Sequence, residues 1–315
     1  MKRKAAIISL ASTILKKEEI DLLKKEKPWG IILFKRNIKS ESQLINLIKK
    51  IRLIMKDKYY PVLIDEEGGK VSRMGNFIDN EFYSQEYFGN IYEMNQTIGS
   101  VLYKTYINSI CQKLKIAGIN INTVPVLDLR KQKTHHVIGS RSYSKNSKTV
   151  NELGKICVDT YRKNKIGTVT KHIPGHGGAK SDSHFTLPVI KDSYKILKNS
   201  DFKCFKKNQS FFSMTAHILY LKVDKYKNAT HSTKIINKII RKTIGFKGIL
   251  ISDDISMKAL KYDLIKNAQD ALNAGCNLVL YCWGKLPEMK KILSHLPYID
   301  RFTSKKTSEF YKFLS

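Results

Sequence analysis

The chain has 315 residues, 42% of them hydrophobic, enough for a full core and within the range of one large α/β domain. Its 57 Lys and Arg against 27 Asp and Glu leave a formal charge of +30, which attracts anions nonspecifically; the lysines recur along nearly every expected helix, favouring solvated faces over a dedicated nucleic-acid surface. Five cysteines, an odd number without metal-ligand spacing, argue against a disulfide framework, and no run approaches the roughly 20 apolar residues of a membrane-spanning helix.

The chain opens with MKRKAAIISLASTILKKEE, whose apolar run AAIISLA is marginal for a secretory signal and reads as a first strand. A soluble, cytoplasmic protein is therefore expected. GIILFK from residue 30 is the second strand, and SESQLINLIKKIRLIMK the helix after it. That helix places Leu44, Ile45, Ile48, Ile51, Leu53 and Ile54 largely on one face, behind a Ser-x-x-Gln start resembling a capping box.

PVLID from 61 and INTVPVLDL from 121 continue the series, followed by IGTVTKH from 166, FFSMTAHI from 211, GILISDD from 248 and NLVLYCW from 277. Helical patterns fill 97 to 117, 148 to 163 and 232 to 243. Apolar runs without polar alternation read as strands buried on both faces, and intervening helices imply parallel crossovers. Eight such units predict an α/β protein, a (β/α)8 barrel in a single domain spanning 1–315.

On that fold active sites gather where the strands end at the C-terminal face. Polar residues stand at those ends: Asp65 at the third strand, Asp128 at the fourth, Lys171 and His172 at the fifth, His217 at the sixth, and Asp253 with Asp254 at the seventh. The richest segment is KHIPGHGGAKSDSHFTLP, residues 171 to 188, which places His172, His176 and His184 on a connection too rich in Gly and Pro for helix or strand. Zinc is the weaker reading, because an H-x3-H pair persuades most on a helix, and Pro174, Gly175 and Gly177 work against one.

Asp182, two residues before His184, lies close enough to orient its ring and stabilise its protonated form, as an acid/base pair requires. Adjacent strand residues point to opposite faces, so one of Asp253 and Asp254 is available as a nucleophilic carboxylate while the other caps the next helix or binds locally. Asp65 suits sugar-hydroxyl recognition, and Arg141 in GSRSYS offers fixed donors to a substrate oxygen. Each has a plainer alternative: metal binding by the pair or capping by both for Asp253 and Asp254, a strand-ending Asp for Asp65, a solvated Arg for Arg141, and for His217 a satisfied rim histidine.

The motifs IDEEGG, GSRSYS, KHIPGHG with SDSH, and GILISDDISM occur in the order and approximate spacing of the family 3 glycoside hydrolases, and the chain most resembles their single-domain bacterial β-N-acetylhexosaminidases. The resemblance runs from about residue 30 to 282. It implies Asp253 as nucleophile, His184 as acid/base and Asp182 as its orienter. Asp65, Arg73, Arg141, Lys171 and His172 match positions that hold the terminal N-acetylglucosamine, and His176 is left as loop support.

The implied reaction retains anomeric configuration in two steps, and departs from the usual two-carboxylate arrangement. The resemblance implies no metal or organic cofactor and a cytosolic muropeptide as substrate (N-acetylglucosamine β-1,4-linked to anhydro-N-acetylmuramic acid); the residues themselves lead to no membrane or specific nucleic-acid partner, and a monomer is the default expectation. Three departures stand out: Glu66 where Gln is more usual, Ile173 for Phe, and GGAK before SDSH. The rivals are a β-glucosidase of the same family, a phosphorylase using phosphate in place of water, and a catalytically inactive basic nucleic-acid- or sugar-binding protein.

Overall fold

The computed structural model describes residues 2–75, 77–131, 138–176, 178 and 186–315. Ten strands occur in chain order: β1 (Lys4–Ser9), β2 (Pro28–Leu33), β3 (Val62–Ile64), β4 (Ile121–Asn122), β5 (Gly167–Ile173), β6 (Val189–Ile190), β7 (Phe212–Thr215), β8 (Leu219–Tyr220), β9 (Ile249–Asp254) and β10 (Leu278–Tyr281). Eight close a parallel barrel in the order β1-β10-β9-β7-β5-β4-β3-β2, while β6 and β8 form a separate two-stranded parallel sheet. All eight expected strands are present. The small sheet was not foreseen, because two-residue strands leave no periodic signal.

Alternation sorts the side chains. Ala5 and Ile7 of β1 point into the barrel interior with Leu63, Ile121, Val169, Ile249 and Ile251, whereas Ala6 and Ile8 face the helices. The interior is a packed core, as expected of eight strands.

The helices are α1 (Lys17–Glu26), α2 (Glu41–Met55), α3 (Gln85–Met94), α4 (Gln96–Ala117), α5 (Ser147–Lys163), α6 (Tyr194–Asn199), α7 (Asp201–Lys207), α8 (Leu264–Ala274), α9 (Leu286–His295) and α10 (Arg301–Leu314), with a wider π-helix at Ile235–Ile244. None among the described residues is long and apolar enough to cross a membrane. In α2 the Ser40 hydroxyl accepts the Gln43 amide at 3.3 Å, but the Gln43 side chain reaches Lys39 N at 2.8 Å, one residue before the cap. The buried face is Leu44, Leu47, Ile48 and Ile51; Leu53, expected there, is 77% exposed because its position carries it off the stripe.

α10 closes the barrel at the end opposite the strand tips. The Trp29 indole donates to Thr307 Oγ1 at 2.8 Å, and Phe310 meets Phe212 edge-on at 5.0 Å. A side chain at Gly167 would come within 2.8 Å of the Phe310 ring, so this strand start must stay bare. With the floor filled, the barrel axis opens to a ligand at its C-terminal mouth.

Candidate active site

At that mouth a cavity of about 230 Å³ is lined by Asp65, Arg73, Arg141, Lys171, His172 and Asp253, and also by Glu67, His176 and Asp254. Apolar walls come from Phe34, Met214 and Leu280. Asp65 follows β3 directly, Lys171 and His172 lie within β5, and Asp253 and Asp254 end β9. Residues far apart in sequence therefore meet because their strands end at one level.

Lys171, almost wholly buried, is the hub. Its Nζ donates to Glu67 Oε1 at 2.6 Å, Thr123 Oγ1 at 2.9 Å and Asp65 Oδ1 at 3.2 Å. Arg141 grips Glu67 with a fork, Nε to Oε2 at 2.8 Å and Nη2 to Oε1 at 2.9 Å, and Arg73 Nη2 stands 3.4 Å from Asp65 Oδ2. Burial alone would raise both carboxyl pKa values. Arg141 and Lys171 instead hold Glu67 down to about 2, and Lys171, Arg73 and a Thr123 hydroxyl bond hold Asp65 well below the ordinary range.

Glu67 was missed as a site residue. In IDEEGG three acids follow one another, and nothing in the sequence ranks them. The fold assigns different tasks. Glu66 turns away and shapes the loop, accepting Arg73 N at 2.8 Å, Met74 N at 3.0 Å and Asn80 Nδ2 at 2.9 Å. This gives the Gln-to-Glu departure a physical role: one oxygen takes two backbone amides and the other takes an amide group, which suits an acceptor-only side chain.

Asp253 and Asp254 part company as the strand rule requires. Asp254 is spent locally, its Oδ2 accepting Ser256 Oγ at 2.7 Å and its Oδ1 accepting the Ser256 and Cys282 amides at 3.1 and 3.3 Å. Burial, opposed by the Ser256 bonds and reinforced by the charge of Asp253, raises its pKa to about 6. Asp253 accepts only the Asp254 amide, at 2.7 Å, among the hydrogen bonds described for its carboxylate. Its burial would raise the pKa, but His217, His172, that amide and Lys171 hold it below the ordinary value, so it stands ionised at neutral pH.

Asp128, fully buried beneath the pocket, accepts His172 Nδ1 at 2.7 Å and the His176 backbone amide at 2.6 Å. Burial pushes the His176 pKa down to about 4, and its Nε2 is buried without a partner among the described residues. His217 is a satisfied rim histidine: Nδ1 meets Thr230 Oγ1 at 2.7 Å and Nε2 meets the Asp254 carbonyl at 3.0 Å. Asp182 and His184 lie outside the described residues. The connection that carries them starts from a fixed base, with the Tyr220 hydroxyl donating to Gly175 O.

Fold and site together define a (β/α)8 barrel with a pocket of charged side chains at its strand tips. Residues 2–300 match the model described as the glycosyl hydrolase family 3 N terminal domain. A beta-hexosaminidase of Methylobacillus flagellatus is 31% identical over 281 residues, 88% of this chain and 79% of that protein, and one of Actinobacillus succinogenes is 29% identical over 282 residues, 88% and 80%. The crystal structure of NagZ from Neisseria gonorrhoeae in complex with N-trifluoroacetyl-D-glucosamine superposes with a TM-score of 0.89 at 27% identity, covering 98% of this chain and 90% of that one. The chain belongs to glycosyl hydrolase family 3, and it is a glycoside hydrolase.

Proposed function

We propose that this protein is a retaining exo-β-N-acetylglucosaminidase that removes a terminal N-acetylglucosamine from peptidoglycan-derived muropeptides. The observation that carries the reading is the position of Asp253: an ionised carboxylate that accepts one described hydrogen bond and lines a cavity of about 230 Å³ together with the charged side chains at the strand tips. Asp65, Arg73, Arg141, Lys171 and His172 line that pocket and hold the sugar. Asp253 attacks the anomeric carbon and displaces the aglycone, whose oxygen takes its proton from His184, oriented by Asp182. His184 then removes a proton from water, which attacks the same carbon and frees the sugar with net retention. The beta-hexosaminidase relatives and the glucosamine-derived ligand of the Neisseria gonorrhoeae neighbour support the N-acetylhexosamine specificity.

The single barrel acts as one catalytic domain, a monomer in the cytoplasm, needing neither cofactor nor metal. The test is hydrolysis of aryl β-N-acetylglucosaminides and β-glucosides by wild type, Asp253→Ala and His184→Ala. Selective N-acetylglucosaminide cleavage is expected, with Asp253→Ala reduced on the order of 10⁴-fold or more. Full activity in that variant contradicts the assignment, and production of sugar 1-phosphate in phosphate buffer would make the enzyme a phosphorylase.

A further inference from the structure

We propose that Asp128 fixes the hydrogen-bonding role of His172, making its pocket-side nitrogen the acceptor for one sugar hydroxyl; this rests on the sugar-pocket reading above. Asp128 Oδ1 accepts the His176 amide at 2.6 Å and Oδ2 accepts His172 Nδ1 at 2.7 Å, while the His172 amide lies 3.3 Å from both oxygens. An ionised carboxylate has no proton to give, and its pKa lies below the ordinary value despite complete burial, because the His172 ring beside it and the His176 backbone amide favour the charge. The proton in the Nδ1–Oδ2 bond therefore sits on Nδ1. Nε2 is the nitrogen left for a ligand, with no hydrogen bond among the described residues.

That vacancy matters because the other anchors are committed. Lys171, Arg73 and Arg141 are donors only, and Asp65 and Glu67 already spend lone pairs on them. With the ring neutral, as the proposal requires, His172 Nε2 is an acceptor that these ion pairs do not claim, so a sugar hydroxyl facing it must donate.

The backbone makes the proposal testable through one substitution. In Asp128→Asn the oxygen must stay at the Oδ1 position, since an amide nitrogen there would face the His176 N–H at 2.6 Å, donor against donor. The new NH₂ then faces Nδ1, which must become an acceptor, so the ring proton moves to Nε2. A side chain outside the ligand's reach thus converts His172 from acceptor to donor, making Asp128 a positioning residue.

Two readouts follow. In ¹⁵N spectra, with the signal assigned by its loss in His172→Gln, His172 is expected as the Nδ1-protonated tautomer in wild type and the Nε2-protonated one in Asp128→Asn. In kinetics, deoxy and deoxyfluoro N-acetylglucosaminides are compared at each ring hydroxyl, because fluorine accepts weakly but never donates. For the hydroxyl facing His172, wild type is expected to lose about tenfold in kcat/KM with either replacement, whereas Asp128→Asn prefers fluoro over deoxy several-fold. A wild-type ring with a proton on Nε2, alone or on both nitrogens, overturns the proposal, as does an unchanged tautomer or fluoro-to-deoxy ratio in Asp128→Asn. The wild-type spectrum decides even where Asp128→Asn does not fold. Failure of wild type to cleave the parent N-acetylglucosaminide refutes the sugar reading instead, and the tautomer measurement still judges Asp128.

Discussion

Asp253 and Asp254 are neighbours with opposite fates, set by what each carboxylate touches. Asp254 is bound by Ser256 and the Cys282 amide, so Asp254→Asn keeps an acceptor there and is expected to retain activity within about tenfold. Asp253→Asn removes the proposed nucleophile, and assays of the two variants side by side should differ by several orders of magnitude. Glu67 makes a second prediction. Its pKa is depressed from 4.5 to about 2 in the folded state, so its ion pairs contribute stability above pH 4.5 that is lost as pH falls toward 2, a contribution on the order of 3 kcal/mol. Glu67→Gln should lower stability at pH 7 by roughly 3–5 kcal/mol, since Lys171 and Arg141 stay buried with one charge fewer between them. Denaturant titrations of both proteins at pH 7 and 3 should show that gap shrinking with acid; a pH-independent gap contradicts it.

At the scale of elements, the strands were legible because each carries an unbroken apolar run, and the tips were legible because polar residues interrupt those runs. What stayed hidden needed the third dimension. No pattern distinguishes Glu67 from Glu66, since their roles depend on where Lys171 and Asn80 arrive from other strands and loops. Leu53 was misplaced because an apolar residue at the edge of a helical stripe looks the same in sequence whether it faces the core or solvent. Arg141, which on local sequence was as readily a solvated side chain, is held inward by α3: Gln85 Nε2 donates to Arg141 O at 2.7 Å and to Val126 O at 2.9 Å. Gly89, one turn along α3, lies so close to this connection that an added Cβ would sit 1.8 Å from Tyr143 O. Gly89→Ala should push α3 away, costing about 1–3 kcal/mol and raising KM more than it lowers kcat. A neutral effect on thermal unfolding and KM contradicts that packing.

For the whole molecule, +30 on 315 residues is a large surplus of like charge. Many ion pairs on its surface are helical neighbours such as Lys155–Asp159 and Lys266–Asp270, which contribute little each. Self-repulsion among the surplus lysines opposes compaction and is screened as the Debye length shrinks from about 30 Å at 0.01 M salt to about 8 Å at 0.15 M. The melting temperature should therefore rise with sodium chloride over that range, and a flat or falling curve argues against net repulsion.

The chemistry proposed at the barrel mouth depends on Asp253 forming a bond to the sugar. The direct measurement is acid-quenching the enzyme during turnover of a slow N-acetylglucosaminide, followed by peptide mass mapping. A mass increase of one N-acetylhexosamine residue is expected on the peptide containing Asp253, and none in Asp253→Asn. An adduct on any other residue, or efficient hydrolysis with inversion at the anomeric carbon and no adduct, contradicts it.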